Sequence, residues 1–114
     1  MTLMKCEEKP DYTVVYIQEK KIFQDKVFTF REELLGLAET EKHNLIIDMS
    51  NVEVINSSGL GVLILLYDKQ KKNEGKLVLC GLSMLLQEIF ERMRLHTLFQ
   101  IESSLPDAEK QVIQ

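Results

Sequence analysis

The apolar positions along the chain follow two different periods, and the places where the period changes mark the elements. Residues 12–18 centre on Thr13-Val14-Val15-Tyr16-Ile17, a β-branched and aromatic run that predicts a sheet strand. Residues 2–7 predict a weaker strand. Lys9-Pro10-Asp11 lies between them and predicts the turn of an N-terminal hairpin, since Pro10 presets one turn dihedral and Asp11 offers a side-chain acceptor. Residues 20–25 read as a connecting loop. Beyond it the spacing lengthens: Val27, Phe30, Leu34 and Leu37 recur every three or four positions, which predicts a helix over 26–42 with one apolar stripe and Asp25 as its N-cap.

Leu45-Ile46-Ile47-Asp48-Met49 is short, apolar and partly β-branched, the signature of a buried strand. A second helix is predicted over 58–73. Leu60, Leu63, Ile64 and Tyr67 form its core stripe, but Val62, Leu65 and Leu66 fall on the other side of the wheel. That second face is either covered by a neighbouring element or offered to a partner or a second copy of the chain. Asn73-Glu74-Gly75 signals a stop and turn, and 76–81 predicts the next strand. Ser83 caps a third helix over 84–93, whose Leu85, Leu86, Ile89, Phe90 and Met93 make a core stripe. Residues 95–101 read as a connection and a last strand. Ser104-Leu105-Pro106-Asp107 opens a short C-terminal helix through Val112. Strands alternating with helices of this length predict an α/β fold: a mixed, mostly parallel sheet with right-handed crossovers, an N-terminal antiparallel hairpin and about four helices, in a single domain over residues 1–114.

Composition narrows the function classes. The chain has 114 residues, 45% hydrophobic and 28% charged, ordinary for one globular domain. Its net charge is -4 and its Lys and Arg are scattered, so nucleic acid is not an expected partner. The longest apolar run, 60–66, is far shorter than the roughly 20 residues that span a bilayer, so no membrane insertion and a cytoplasmic location are expected. Cys6 and Cys80 suggest no disulfide framework, and Cys80 reads as a small core residue in a strand. His43 at a helix end reads as a surface residue, and His96 as a turn residue with no ligand partner at metal spacing. No phosphate-cradling Gly loop with its Lys, no His-Glu-x-x-His and no Gly-x-Ser-x-Gly elbow is present. An enzyme is not expected, and no cofactor is implied.

The most informative stretch is Val54-Ile55-Asn56-Ser57-Ser58-Gly59-Leu60-Gly61, between the buried strand and the second helix. Asn, Ser and Gly suit a helix start, where main-chain N–H groups lack partners inside the helix. The same free N–H groups and the positive end of the helix dipole favour an anion. Two readings follow from these residues alone: a plain helix cap, or a site where a phosphate on Ser57 would be well placed.

Asp48-Met49-Ser50 followed by Asn56-Ser57-Ser58-Gly59-Leu60-Gly61 resembles the signature of the STAS domain family, specifically its anti-sigma factor antagonists. There a strand ending in Asp-Leu-Ser precedes Asp-Ser-Ser-Gly-Leu-Gly at a helix start. The likeness extends along nearly the whole chain and is weakest before Leu45. It implies phosphorylation at Ser57 by an ATP-binding anti-sigma factor serine kinase, with Asp48, Asn56, Ser58 and Gly59 as loop neighbours and a phosphatase as the opposing partner. Phe23, Val62, Leu65 and Leu66 are the expected partner-binding residues, and a homodimer is a further option for the second-helix face. Two departures stand out: Asn56 replaces the acidic residue before the acceptor, and the 20–25 loop carries Lys20, Lys21 and Phe23 instead of a Gly-Glu-Leu-Asp-like turn. The alternatives are a STAS scaffold that is never phosphorylated, a transporter-associated STAS subunit acting through protein contacts, and a ligand sensor.

Overall fold

The computed structural model describes residues 2–39 and 41–113. Its centre is a five-stranded sheet in which β1 (Met4–Glu8), β2 (Tyr12–Ile17), β4 (Asn44–Asp48), β6 (Leu77–Cys80) and β7 (Gln100–Glu102) lie side by side in that order. β1 and β2 form the expected antiparallel hairpin, and β2, β4, β6 and β7 run parallel. Helices α1 (Lys26–Leu37), α2 (Ser57–Lys72), α3 (Met84–Arg92) and α4 (Leu105–Ile113) connect or follow the strands.

Both faces of the sheet are covered, which is why its inner strands read as unbroken apolar runs. Val15, Ile17, Leu45, Ile47 and Leu79 point into the larger core, against Phe30 and Leu34 of α1, Leu60, Leu63 and Leu66 of α2, and Leu86 and Phe90 of α3. The alternate residues Val14, Ile46, Val78 and Cys80 meet Ala108 and Val112 of α4 on the opposite face. The Tyr12 hydroxyl donates to Glu109 Oε2 at 2.6 Å, tying α4 to β2.

Several boundaries differ from expectation for tertiary reasons. α1 stops at Leu37, not 42, one residue after Gly36, a weak helix former. Residues of α2 and its C-terminal turn take its last carbonyls: Lys69 Nζ donates to Leu35 O at 3.1 Å and Asn73 Nδ2 to Ala38 O at 2.7 Å. Thr40, within the expected helix, lies outside the described residues. Asp25 is not the cap: its backbone is helical and its side chain makes no capping bond. The first N–H groups of α1 instead reach back to Phe23 O and Gln24 O, each at 3.2 Å. At the end of α2, Gly75 N–H bonds to Gln70 O at 2.8 Å and Glu74 N–H to Lys71 O at 3.1 Å, a Schellman closure. The left-handed residue there is Glu74, with φ 60°. Gly75 serves a different need, because a Cβ on it would collide with the His43 carbonyl. His43 is half-buried rather than a plain surface residue, its Nε2 2.7 Å from Thr13 Oγ1.

The largest departure is the loop expected over 20–25. It contains β3 (Lys21–Ile22), which pairs in parallel with β5 (Val54–Ile55) as a separate two-stranded sheet. This small sheet fixes the approach to Ser57.

Candidate functional site

α2 begins at the carboxyl end of the parallel strands, and the segment leading to it is anchored at each step. Asp48 Oδ1 accepts from Ser50 N–H at 2.9 Å and also from the Ser50 hydroxyl. Met49 and Val52 are buried, and Met49 N–H donates to Cys80 O at 2.9 Å. Glu53 N–H and Val54 N–H both donate to Lys20 O, and Asn56 N–H donates to Ile22 O at 3.1 Å. Ile22 and Ile55 are buried beneath this pairing, and Gly59 packs on them so closely that a Cβ there would lie 2.6 Å from Ile55 Cγ1.

Asn56 is the N-cap. Its backbone is extended, with φ -86° and ψ 177°, and its Oδ1 accepts from Gly59 N–H at 2.8 Å. An amide thus performs the capping bond without adding a charge. Ser57 and Ser58 are the first two helical residues, and both are exposed. Their N–H groups have no acceptor within the helix, no acidic side chain occupies the first turn, and the positive end of the dipole faces solvent. The geometry presents a serine hydroxyl on a rigid helix start that tolerates an anion. His43 precedes β4, at the amino end of the strands, and His96 sits in the 3-10 turn before β7, in a cleft with Phe90, Ile101 and Ser103. The carboxylate of Asp48 is engaged by Ser50.

The expected partner-binding residues are divided by the packing. Phe23 is half-buried beside β3, and Leu65 is 41% exposed. Val62 and Leu66 are 3% and 0% exposed, which corrects their assignment to a docking face: α1 lies along that flank of α2 and draws them into the core. Leu85 and Met93, expected in the core, are instead 54% and 48% exposed, because α3 turns only Leu86 and Phe90 fully inward. Val54 and Met84, also exposed, were not singled out by pattern. Met84 and Leu85 follow directly on the Ser83 cap, whose Oγ accepts from Leu86 N–H at 3.1 Å. A wheel centred on Leu86 and Phe90 would have placed Leu85 about 120° from the core direction.

Cys80, beneath α4, has its thiol pushed up to about 12 by burial and then by Asp48 and Glu109. Cys6 is half-buried and its thiol is raised by burial and by Glu33 and Glu8. No helix among the described residues is long and apolar enough to cross a membrane.

Fold and site together define an α/β module that carries an exposed serine pair at one helix start. The STAS domain model matches residues 4–108, and the chain belongs to that family. It is 28% identical over 72 residues to a Bordetella bronchiseptica protein named as anti-sigma factor antagonist BtrV. That match covers 63% of this chain and 62% of the relative. An anti-sigma-factor antagonist (STAS) domain protein from Planctomyces limnophilus superposes with a TM-score of 0.86 at 17% identity, over 97% of this chain and 98% of that one. The Bacillus cell fate determinant SpoIIAA in its phosphorylated form superposes with a TM-score of 0.70 at 15% identity, over 96% of this chain and 98% of that one.

Proposed function

We propose that the chain is an anti-sigma factor antagonist that docks, unmodified, onto an ATP-binding anti-sigma factor kinase, frees that partner's sigma factor, and is switched off by phosphorylation at Ser57. The observation that carries this reading is Ser57 itself, an exposed hydroxyl on the first residue of α2, held at a preformed start by Asn56 and the β3–β5 pairing. The relative named as an antagonist and the structural neighbour known in a phosphorylated form support it.

The chain is the substrate and the partner the catalyst. Ser57 Oγ attacks the γ-phosphorus of ATP held by the kinase. The new P–O bond forms as the bond to the β-phosphate oxygen breaks, ADP leaves, and the hydroxyl proton passes to a base of the kinase. The product carries about -1.5 to -2 extra charges at the centre of the contact surface. The free N–H groups of Ser57 and Ser58 accommodate that charge within the chain, whereas the docked partner would have to desolvate it. A phosphatase resets the switch by hydrolysing the ester.

The test is binding and intact mass together. Ser57→Ala stays bound in the presence of ATP and gains no phosphate, while Ser57→Asp and Ser57→Glu bind weakly. Equal affinity for all three variants would refute the switch and favour the unphosphorylated scaffold.

A further inference from the structure

The chain has five glycines, and the fold accounts for four of them. A Cβ on Gly59, Gly75 or Gly81 would come within 2.6 Å of another atom, and Gly36 stands one residue before the end of α1. Gly61 is the exception. It lies inside α2, one turn after Ser57, and a Cβ on it would meet nothing within 4 Å. Glycine weakens a helix interior relative to alanine, because its backbone loses more freedom on folding. No contact among the described residues offsets that cost.

Gly61 shares a side of the helix with the serine. Ser57, Gly61 and Leu65 are spaced four apart and form one row, in which Ser57 and Leu65 are exposed and Gly61 is half-buried between them. Gln70 stands about 180° around the axis from Gly61 and is 1% exposed, so the row runs along the middle of the solvent face. The core closes the opposite side of α2. Two routes to Ser57 Oγ are left: along the solvent face, over Gly61, or end-on, from beyond the first turn. An end-on partner would leave Gly61 without a task. We infer that Gly61 is a positioning residue for the kinase that acts on Ser57, its missing side chain letting the partner's main chain close on α2 one turn from the acceptor hydroxyl. Leu65, exposed one turn further on, continues the same contact with an apolar side chain. This inference rests on the kinase reading and separates the two glycines of the loop and helix start: Gly59 serves the fold, Gly61 the partner.

The experiment uses the full chain, ATP and clarified extract of the source organism as the kinase, with the gain of one phosphate on Ser57 followed by peptide mass at several chain concentrations. Gly61→Ala and Gly61→Leu are compared with Gly36→Ala and Gly36→Leu, since a Cβ on Gly36 also meets nothing within 4 Å. Urea midpoints are measured for all four. Both alanine variants should unfold at higher urea than wild type. Gly61→Ala should nonetheless raise the apparent KM of the chain, and Gly61→Leu should raise it about tenfold or more, while the Gly36 variants stay within about twofold. If Gly61→Leu does not fold, the alanine variant alone carries the comparison. A glycine needed only by the fold would give the opposite pattern, lost stability with an unchanged KM. Unchanged KM for the Gly61 variants, a lower urea midpoint for Gly61→Ala, or an equal rise for Gly36→Leu overturns the inference and leaves the kinase reading intact. If wild type gains no phosphate on Ser57 in extracts from any growth condition, the kinase reading falls and this inference falls with it.

Discussion

Replacing Asn56 with alanine removes the side chain that makes the capping bond at the start of α2, and the cost follows from where its partner lies. The Gly59 N–H that Asn56 Oδ1 accepts from at 2.8 Å belongs to a buried residue packed against Ile55 and Ile22. It cannot readily turn to water when the cap is lost. N-cap removal costs about 0.5–2 kcal/mol, and an unpaired buried donor places this case in the upper half, about 1–2 kcal/mol. For a chain of this size the thermal midpoint falls by roughly 4–8 °C. Asn56→Asp keeps the accepting oxygen and adds a negative charge at the positive end of the helix, a gain of about 0.3–1 kcal/mol at low salt. Urea unfolding at pH 7 should therefore rank the proteins Asp, Asn, Ala from most to least stable, with the Asp gain shrinking as salt screens it. Asn56→Asp should also raise the rate of Ser57 phosphorylation by restoring a carboxylate beside the acceptor. An alanine variant as stable as wild type, or an aspartate variant less stable, would refute the capping argument. An unchanged phosphorylation rate would refute the part concerning the acceptor.

Three further outcomes test the packing around the site. Leu66→Ala should lose about 2–5 kcal/mol by denaturant unfolding, as a fully buried leucine does, whereas Leu65→Ala should stay within about 0.5 kcal/mol; equal effects would contradict the orientation of α2. Gly59→Ala drives a methyl into Ile55 and Ile22 and should cost about 1–3 kcal/mol, with faster hydrogen exchange at Asn56 N–H as the β3–β5 sheet loosens. Cys80 should resist thiol reagents at pH 8 until the chain is unfolded. Its folded thiol titrates near 12 against an ordinary 9.0, so the unfolded state releases the proton first and stability declines as pH rises from about 9 towards about 12. Tyr12 adds to the same decline at its upper end, being raised from 10.0 to about 12 by its bond to Glu109, by burial and by nearby acids. Rapid native labelling of Cys80 would place α4 off the sheet.

Much of the architecture can be read from local chemistry. The run Leu45-Ile46-Ile47, the stripe Phe30-Leu34 and the cap Ser83 each depend on neighbours within a few positions, so strand, helix and helix start could be assigned before any contact was known, with α2 beginning at Ser57 and capped by Asn56, one residue before the expected start at 58. The position of Ser57 at the start of a helix was accessible for the same reason. Side chains that depend on a distant partner could not be assigned in this way. β3 has two residues and exists because residues 52–56 come alongside it. α1 ends at Leu37 because Lys69 and Asn73, more than thirty positions later, claim its carbonyls.

The two faces of α2 illustrate the division. The amino-acid pattern determined that the helix is apolar nearly all round and begins beside a serine pair. Only the tertiary structure decided that α1 covers Val62 and Leu66 and that Leu65 and Leu85 are left in water. Periodicity records which residues are apolar, whereas burial depends on which neighbouring element arrives to exclude water from them, and that is set by the order of strands in the sheet.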